Sequence, residues 1–150
     1  MIGEQPLGKI CAVEQRIAGY VIANDVSARD FATPGASPFG IDWLRHKSFD
    51  SLLPMGPAVV PSRYVPDPMK LDIRLSVNGQ SRQSSNTEQM IFSIDEQVAA
   101  LSSVVSLRAG DLLLTGTPAG TAAAYESYLE TGDVMVAEIE GLGSLTNVVA

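Results

Sequence analysis

Three short stretches of this 150-residue chain carry side chains whose types and spacing could do chemistry. The first, GYVIANDVSARDF (19–31), drives an apolar run into Asn24, Asp25, Ser27, Arg29 and Asp30. Asp25 or Asn24 can simply begin a turn after a strand, with Ser27 and Asp30 capping a short helix, and whether the pair of carboxylates does more is the question the stretch raises. Arg29 and Asp30 read equally well as a surface pair of small energetic weight. The second stretch, HKSFDS, sets His46 and Lys47 between apolar segments. A lysine is solvated by default, and Ser48-Phe49 with the Pro-Met-Gly-Pro run that follows argue only mildly for its burial. His46 could act as a base, yet the sequence shows it no partner. The third stretch, TGTPAG (115–120), follows an apolar run. Its backbone N–H groups and the Thr117 hydroxyl suit a carboxylate, and its glycines suit an ordinary tight turn equally well. No Gly-Lys-Ser/Thr follows, so it is not a Walker-type phosphate loop.

The chemistry open to these residues is bounded by what the chain lacks. It has one cysteine, Cys11, and one histidine, His46, which removes disulfide scaffolds, zinc ribbons and iron–sulfur sites. A lone thiol fits a reducing compartment. Net charge is -7 and the pI is about 4.5, with no lysine/arginine cluster, so neither nucleic acid nor an anionic membrane is an expected partner. MIGEQPLGKI has no basic segment leading into an apolar core, and no apolar run reaches membrane-span length. A cytoplasmic protein is expected. At 45% hydrophobic and 18% charged residues, the chain can bury a single core rather than remain disordered.

The elements that must position these groups are partly legible. Ile10, Val13 and Ile17 fall at helical spacing over 10–18, with Gly19 suited to that helix's C-terminus. A strand is expected over Tyr20–Asn24, then a long loop over 31–40 that could wall a site. Pro54, Pro57 and Pro61 break 46–61 into short apolar runs unlike a central helix. Leu71, Ile73, Leu75 and Val77 alternate with polar residues ahead of Asn78-Gly79, the strongest short hairpin signal. Over 93–105, Ser93 and Glu96 make a capping-box pattern, and Ile94, Val98, Leu101 and Val105 make one apolar stripe. LRAGDLLL (107–114) and LETGDVMV (129–136) echo each other as turn-then-strand. A final strand, SLTNVVA, follows a Gly-Leu-Gly turn. Strands outnumber helices with no βαβ rhythm, so a mixed α+β, mostly antiparallel β architecture is expected.

Taken in order, GYVIANDVSARDF, KSFDSLLPMGPAVVP, LSVNGQSRQSSNTEQMIFS, GDLLLTGTPAG and GDVMVAEIEGLGSLTNVV resemble the catalytic domain of the fumarylacetoacetate hydrolase family over almost the whole chain. The resemblance implies a mixed β-roll or sandwich with a few short helices, one domain over 1–150, and a homodimer. It implies a divalent cation, magnesium or manganese with calcium also used, held by three carboxylates. Asp25 matches the family's third ligand. Lys47 matches the catalytic lysine facing the metal and substrate oxygens. Ser51 matches a hydroxyl residue that reaches the metal through water, and Thr117 matches the threonine that binds a substrate carboxylate. The implied substrates are 2-oxo or 1,3-diketo acids of the acylpyruvate, fumarylpyruvate or fumarylacetoacetate type, cleaved at a C–C bond by a hydrolase or lyase through a stabilised enolate. Isomerase, decarboxylase and hydratase activities of aromatic-compound catabolism belong to the same family.

One departure stands out. The family's other two carboxylates form a Glu-x-Glu pair expected just ahead of MIGEQPLGK, so an N-terminally truncated domain that binds its cation weakly is expected. Three readings stay open: a shortened gene product, a split enzyme completed by a partner chain, and a non-catalytic subunit.

Overall fold

A two-residue turn organises the larger sheet of the computed structural model, which describes residues 17–31, 42–122 and 128–150. Asn78 (φ 51°) and Gly79 (φ 76°) both sit in the left-handed region that a type I′ turn requires. They join β3 (Asp72–Val77) to β4 (Gln80–Asn86) as the Asn-Gly pair predicts. The Asn78 side chain also accepts from the Val134 N–H at 2.9 Å, tying the turn to the next strand. That strand is β5 (Val134–Ile139), and β6 (Gly143–Val148) follows it after the Gly-Leu-Gly turn. The sheet order is β4-β3-β5-β6, every neighbouring pair antiparallel. Leu75 pairs with Gln83 whereas Ser76 pairs with Ser81, so Arg82 is an extra, bulged residue on β4.

A second, two-stranded sheet pairs β1 (Gly19–Ala23) with β2 (Met55–Pro61). Gly19 opens a strand here rather than ending a helix. A Cβ at Gly19 would run into the Val60 carbonyl, so the residue serves close strand approach. Ile10 and Val13 of the expected helix lie outside the described residues, while Ile17 sits in the core.

α2 (Ile94–Ser102) forms as expected but stops three residues early. Ser93 accepts from the Glu96 N–H and the Glu96 carboxylate accepts from the Ser93 N–H, a complete capping box. Ile94 and Val98 are buried with Ile17, against Tyr20, Met69, Met90, Leu107 and Leu113. A second cluster joins Ile22, Val65 and Leu142, with Tyr20 touching both clusters. One short helix goes beyond the sequence reading: α1 (Trp43–Lys47), where Asp42 accepts from the Arg45 N–H at 3.0 Å and caps the single turn.

The paired L-x-x-G-D segments agree at the turn and part at the strand. Asp111 and Asp133 each accept from the N–H three residues back, of Arg108 and Glu130, at 2.7 and 2.9 Å. Gly110 and Gly132 sit at φ 95° and 96°. Only the second copy runs into a ladder; 111–116 joins no sheet among the described residues. The backbone groups into two compact units, Ala23–Met55 and the remaining described residues. Among the described residues, mostly antiparallel strands with two short helices match the expected class. Among the described residues no helix is long and apolar enough to cross a membrane.

Candidate functional site

Within Ala23–Met55 the polar end of the first stretch is held by backbone hydrogen bonds. The Asn24 N–H donates to the Pro54 carbonyl and the Val26 N–H to the Leu52 carbonyl, both at 3.0 Å, in antiparallel sense. Asp25 lies between those two bonds, so its own carbonyl faces the other way. The Ala28 N–H donates to the carbonyl of His46 at 3.0 Å and fixes the end of α1 against the segment.

Lys47 is delivered by that anchor. Its Nζ lies 2.7 Å from Asp25 Oδ2 and donates to the Asp25 backbone carbonyl at 3.2 Å. The lysine side chain is 27% exposed and the aspartate 48%. A pair so exposed contributes at most about 1 kcal/mol to stability. Its significance is therefore the charge it presents: an ammonium held in a fixed place, reachable from solvent.

His46, beside it, is wholly buried. Nδ1 lies 3.0 Å from the Asp42 carbonyl, Trp43 packs on the ring at 5.1 Å, and Nε2 has no hydrogen-bond partner among the described residues. The imidazole packs α1 in place and so supports Lys47 through the backbone; its burial removes it from contact with a dissolved substrate. Ser51 adopts φ 65°, uncommon for a residue with a Cβ, and its hydroxyl donates to the Asp50 carbonyl at 2.6 Å. The structure thus brings Asp25 and Lys47 into direct contact and leaves Ser51 bonded within its own turn. Among the described residues no group of three or more His, Cys, Asp or Glu side chains converges to hold a metal.

Thr117 belongs to the other compact unit, and its loop is built around β4. Gln83 Nε2 donates to Thr117 Oγ1 at 2.9 Å and to the Pro118 carbonyl at 3.0 Å. Gly120 (φ 107°) presses so closely on β4 that a Cβ would overlap the Arg82 carbonyl. Gly120 thus serves a specific approach, whereas Gly116 (φ 104°) has open space around it and serves only its turn. Gln83, 8% exposed, went unremarked in the sequence. The available signal was a strand, QSRQSSN, with no apolar residue to bury.

The fumarylacetoacetate hydrolase C-terminal domain model matches residues 2–150. The mitochondrial oxaloacetate tautomerase of Xenopus laevis is 42% identical over 133 residues, covering 87% of this chain and 41% of that protein. The Bos taurus tautomerase is 44% identical with the same coverage. The chain therefore spans about two fifths of the length of these curated relatives. Among solved structures, 2-hydroxyhepta-2,4-diene-1,7-dioate isomerase from Mycobacterium marinum superposes with a TM-score of 0.78 at 40% identity, over 91% of this chain and 49% of that one. Fumarylacetoacetate hydrolase from Exiguobacterium antarcticum gives 0.81 at 36% identity, over 91% and 48%. By domain match and by relatives alike, the chain belongs to the fumarylacetoacetate hydrolase family.

Proposed function

We propose that residues 1–150 form one catalytic domain acting on a small 2-oxo acid through an enolate, with proton transfer between keto and enol forms as its first activity. The observation that carries the reading is the Lys47 ammonium fixed at 2.7 Å on Asp25 and open to solvent. An enol or enolate of a 2-oxo acid gathers negative charge on the oxygen next to its carboxylate. A positioned ammonium favours that oxygen more in the transition state than in the keto acid, which lowers the barrier. Identity of 42–44% to oxaloacetate tautomerases and 40% to a dienedioate isomerase favours proton shifts. Similarity to a hydrolase, at 36%, supports C–C cleavage of acylpyruvate-type acids as the second reading. Both share the enolate, so both need Lys47.

Members of this family generally use divalent metals. The described residues do not fit such an ion by themselves: no group of three or more His, Cys, Asp or Glu side chains converges among them, and the Lys47 ammonium already holds Asp25. Asp25 is proposed as one ligand for magnesium or manganese, with calcium a lesser substitute. Ser51 is proposed as its contact through water. Thr117 is proposed to bind the substrate carboxylate. A homodimer in a reducing, aqueous compartment such as the cytoplasm completes the reading.

The test follows oxaloacetate enol–keto conversion by ultraviolet absorbance, with acylpyruvate cleavage measured in parallel, in the presence of magnesium. Lys47→Met should lower kcat roughly 100-fold or more with the melting temperature retained. An unchanged kcat removes Lys47 from the site. Turnover on neither substrate overturns the enzymatic reading in favour of a non-catalytic subunit.

A further inference from the structure

We infer that Gln83 is a positioning residue: it turns the Thr117 hydroxyl proton outward, making that residue a donor aimed at an anionic group. The inference rests on the proposed reading of Thr117 as a carboxylate contact and explains how one hydroxyl is committed to that task. A threonine hydroxyl has one proton and two lone pairs, and left alone it rotates to suit whichever neighbour arrives. Gln83 removes that freedom. The Pro118 carbonyl can only accept, so the amide face toward the loop must be the NH2 rather than the oxygen. One N–H then goes to Pro118, and the other, at 2.9 Å, goes to Thr117 Oγ1. With a donor on its inner side, Oγ1 accepts inward and must send its own proton elsewhere. Thr117 is exposed, so that proton faces incoming solute.

Three features make this a built arrangement rather than an incidental contact. Gln83 is 8% exposed, so its amide is shielded from competing water. The bulge at Arg82 shifts Gln83 into register with Leu75. Gly120 lets the loop lie against the Arg82 carbonyl close enough for a glutamine side chain to span the gap. A side chain that merely filled space there would need no two-pronged amide.

The test inverts the polarity of the inner partner. In Gln83→Glu the side chain keeps its length but only accepts when ionised, so the Thr117 proton turns inward to it. Gln83→Met removes the inner partner without adding charge and guards against failure of the first variant to fold. Thr117→Val is the reference. Calorimetric titration with oxalate, and with its neutral diamide as control, reads binding independently of turnover. Oxalate affinity should fall roughly tenfold or more in Gln83→Glu and Thr117→Val, and less in Gln83→Met. Diamide affinity should be unchanged, and the Gln83→Glu/Thr117→Val double variant should bind no more weakly than Thr117→Val alone. Equal losses for oxalate and diamide, or additive losses in the double variant, would mark Gln83 as structural filler and overturn the inference. If Thr117→Val weakens oxalate and neither Gln83 variant does, the inference fails while the reading of Thr117 survives. If Thr117→Val has no effect, or the unaltered protein binds no oxalate, both fall together.

Discussion

Lys47 directs two of its three N–H donors at a single residue, one to the carboxylate of Asp25 and one to its backbone carbonyl. The position of the ammonium is therefore set by the backbone of 24–26 as much as by the aspartate side chain, which separates two effects of mutation. Asp25→Ala should leave the melting temperature nearly unchanged, because an exposed pair contributes at most about 1 kcal/mol. It should also weaken manganese binding by roughly tenfold or more, because a carboxylate is the donor such ions most require. Calorimetric titration checks this, and equal affinity in the two proteins would take Asp25 out of the cation's reach. The chemical identity of these groups was legible in the sequence: Asp25, Lys47 and Thr117 were each picked out by type and local context. That Lys47 grips Asp25 was not legible, since 22 residues separate them and the contact depends on the Ala28–His46 hydrogen bond.

At the level of the element, local signals decided what could be foreseen. The β3–β4 hairpin and α2 formed where Asn78-Gly79 and the Ser93/Glu96 box predict, because the turn needs only its own two positive-φ residues and the box satisfies its own backbone groups three residues apart. α1 escaped notice because five residues are too few to show an apolar period, and its cap, Asp42, looks like any loop aspartate. The strand expected over 111–116 shares its turn geometry with β5 but joins no ladder among the described residues; pairing is a long-range property that no window of sequence contains. Gln83 escaped for a related reason. Simple counting from the Asn78-Gly79 turn sets Arg82 opposite Leu75, and only the bulge moves Gln83 there. Gly120 gives the sharpest test at this scale. Gly120→Ala adds a Cβ that overlaps the Arg82 carbonyl at a φ of 107°, so something must shift. A loss of about 1–3 kcal/mol is expected in urea unfolding. A cost indistinguishable from zero would mean the loop does not rest on β4 as described.

Taken as a whole, the molecule carries carboxylates whose folded environment favours the charged form. Glu96 is held below its ordinary 4.5 first by the Ser93 hydroxyl and then by its N–H. Asp67 is held below 3.8 by the Lys70 side chain and then the Met69 N–H, and Asp133 by the Glu130 N–H and then the Asn78 amide. Groups lowered in this way contribute stability that is complete above their unfolded values and is lost as pH falls through the folded ones. Melting temperature should therefore hold steady down to the ordinary values of 4.5 and 3.8 and decline below them. Glu96→Gln should lower the plateau and flatten part of that decline; an unchanged acid limb would mean the capping box is not intact in solution. Tyr20 works at the other end. Burial first, and Asp95 second, raise its phenol above 10.0, so its contribution is present below that pH and lost as pH rises further.

The extra residue at Arg82 has a consequence that reaches past its own strand. Straightening the bulge at unchanged length would slip every residue beyond it by one against β3, setting Arg82 opposite Leu75 and turning Gln83 to the opposite face of the sheet. The buried amide would then point into solvent and the Thr117 hydroxyl would turn at will. The placement of the Gln83 amide thus depends on one extra residue in a strand made wholly of polar residues.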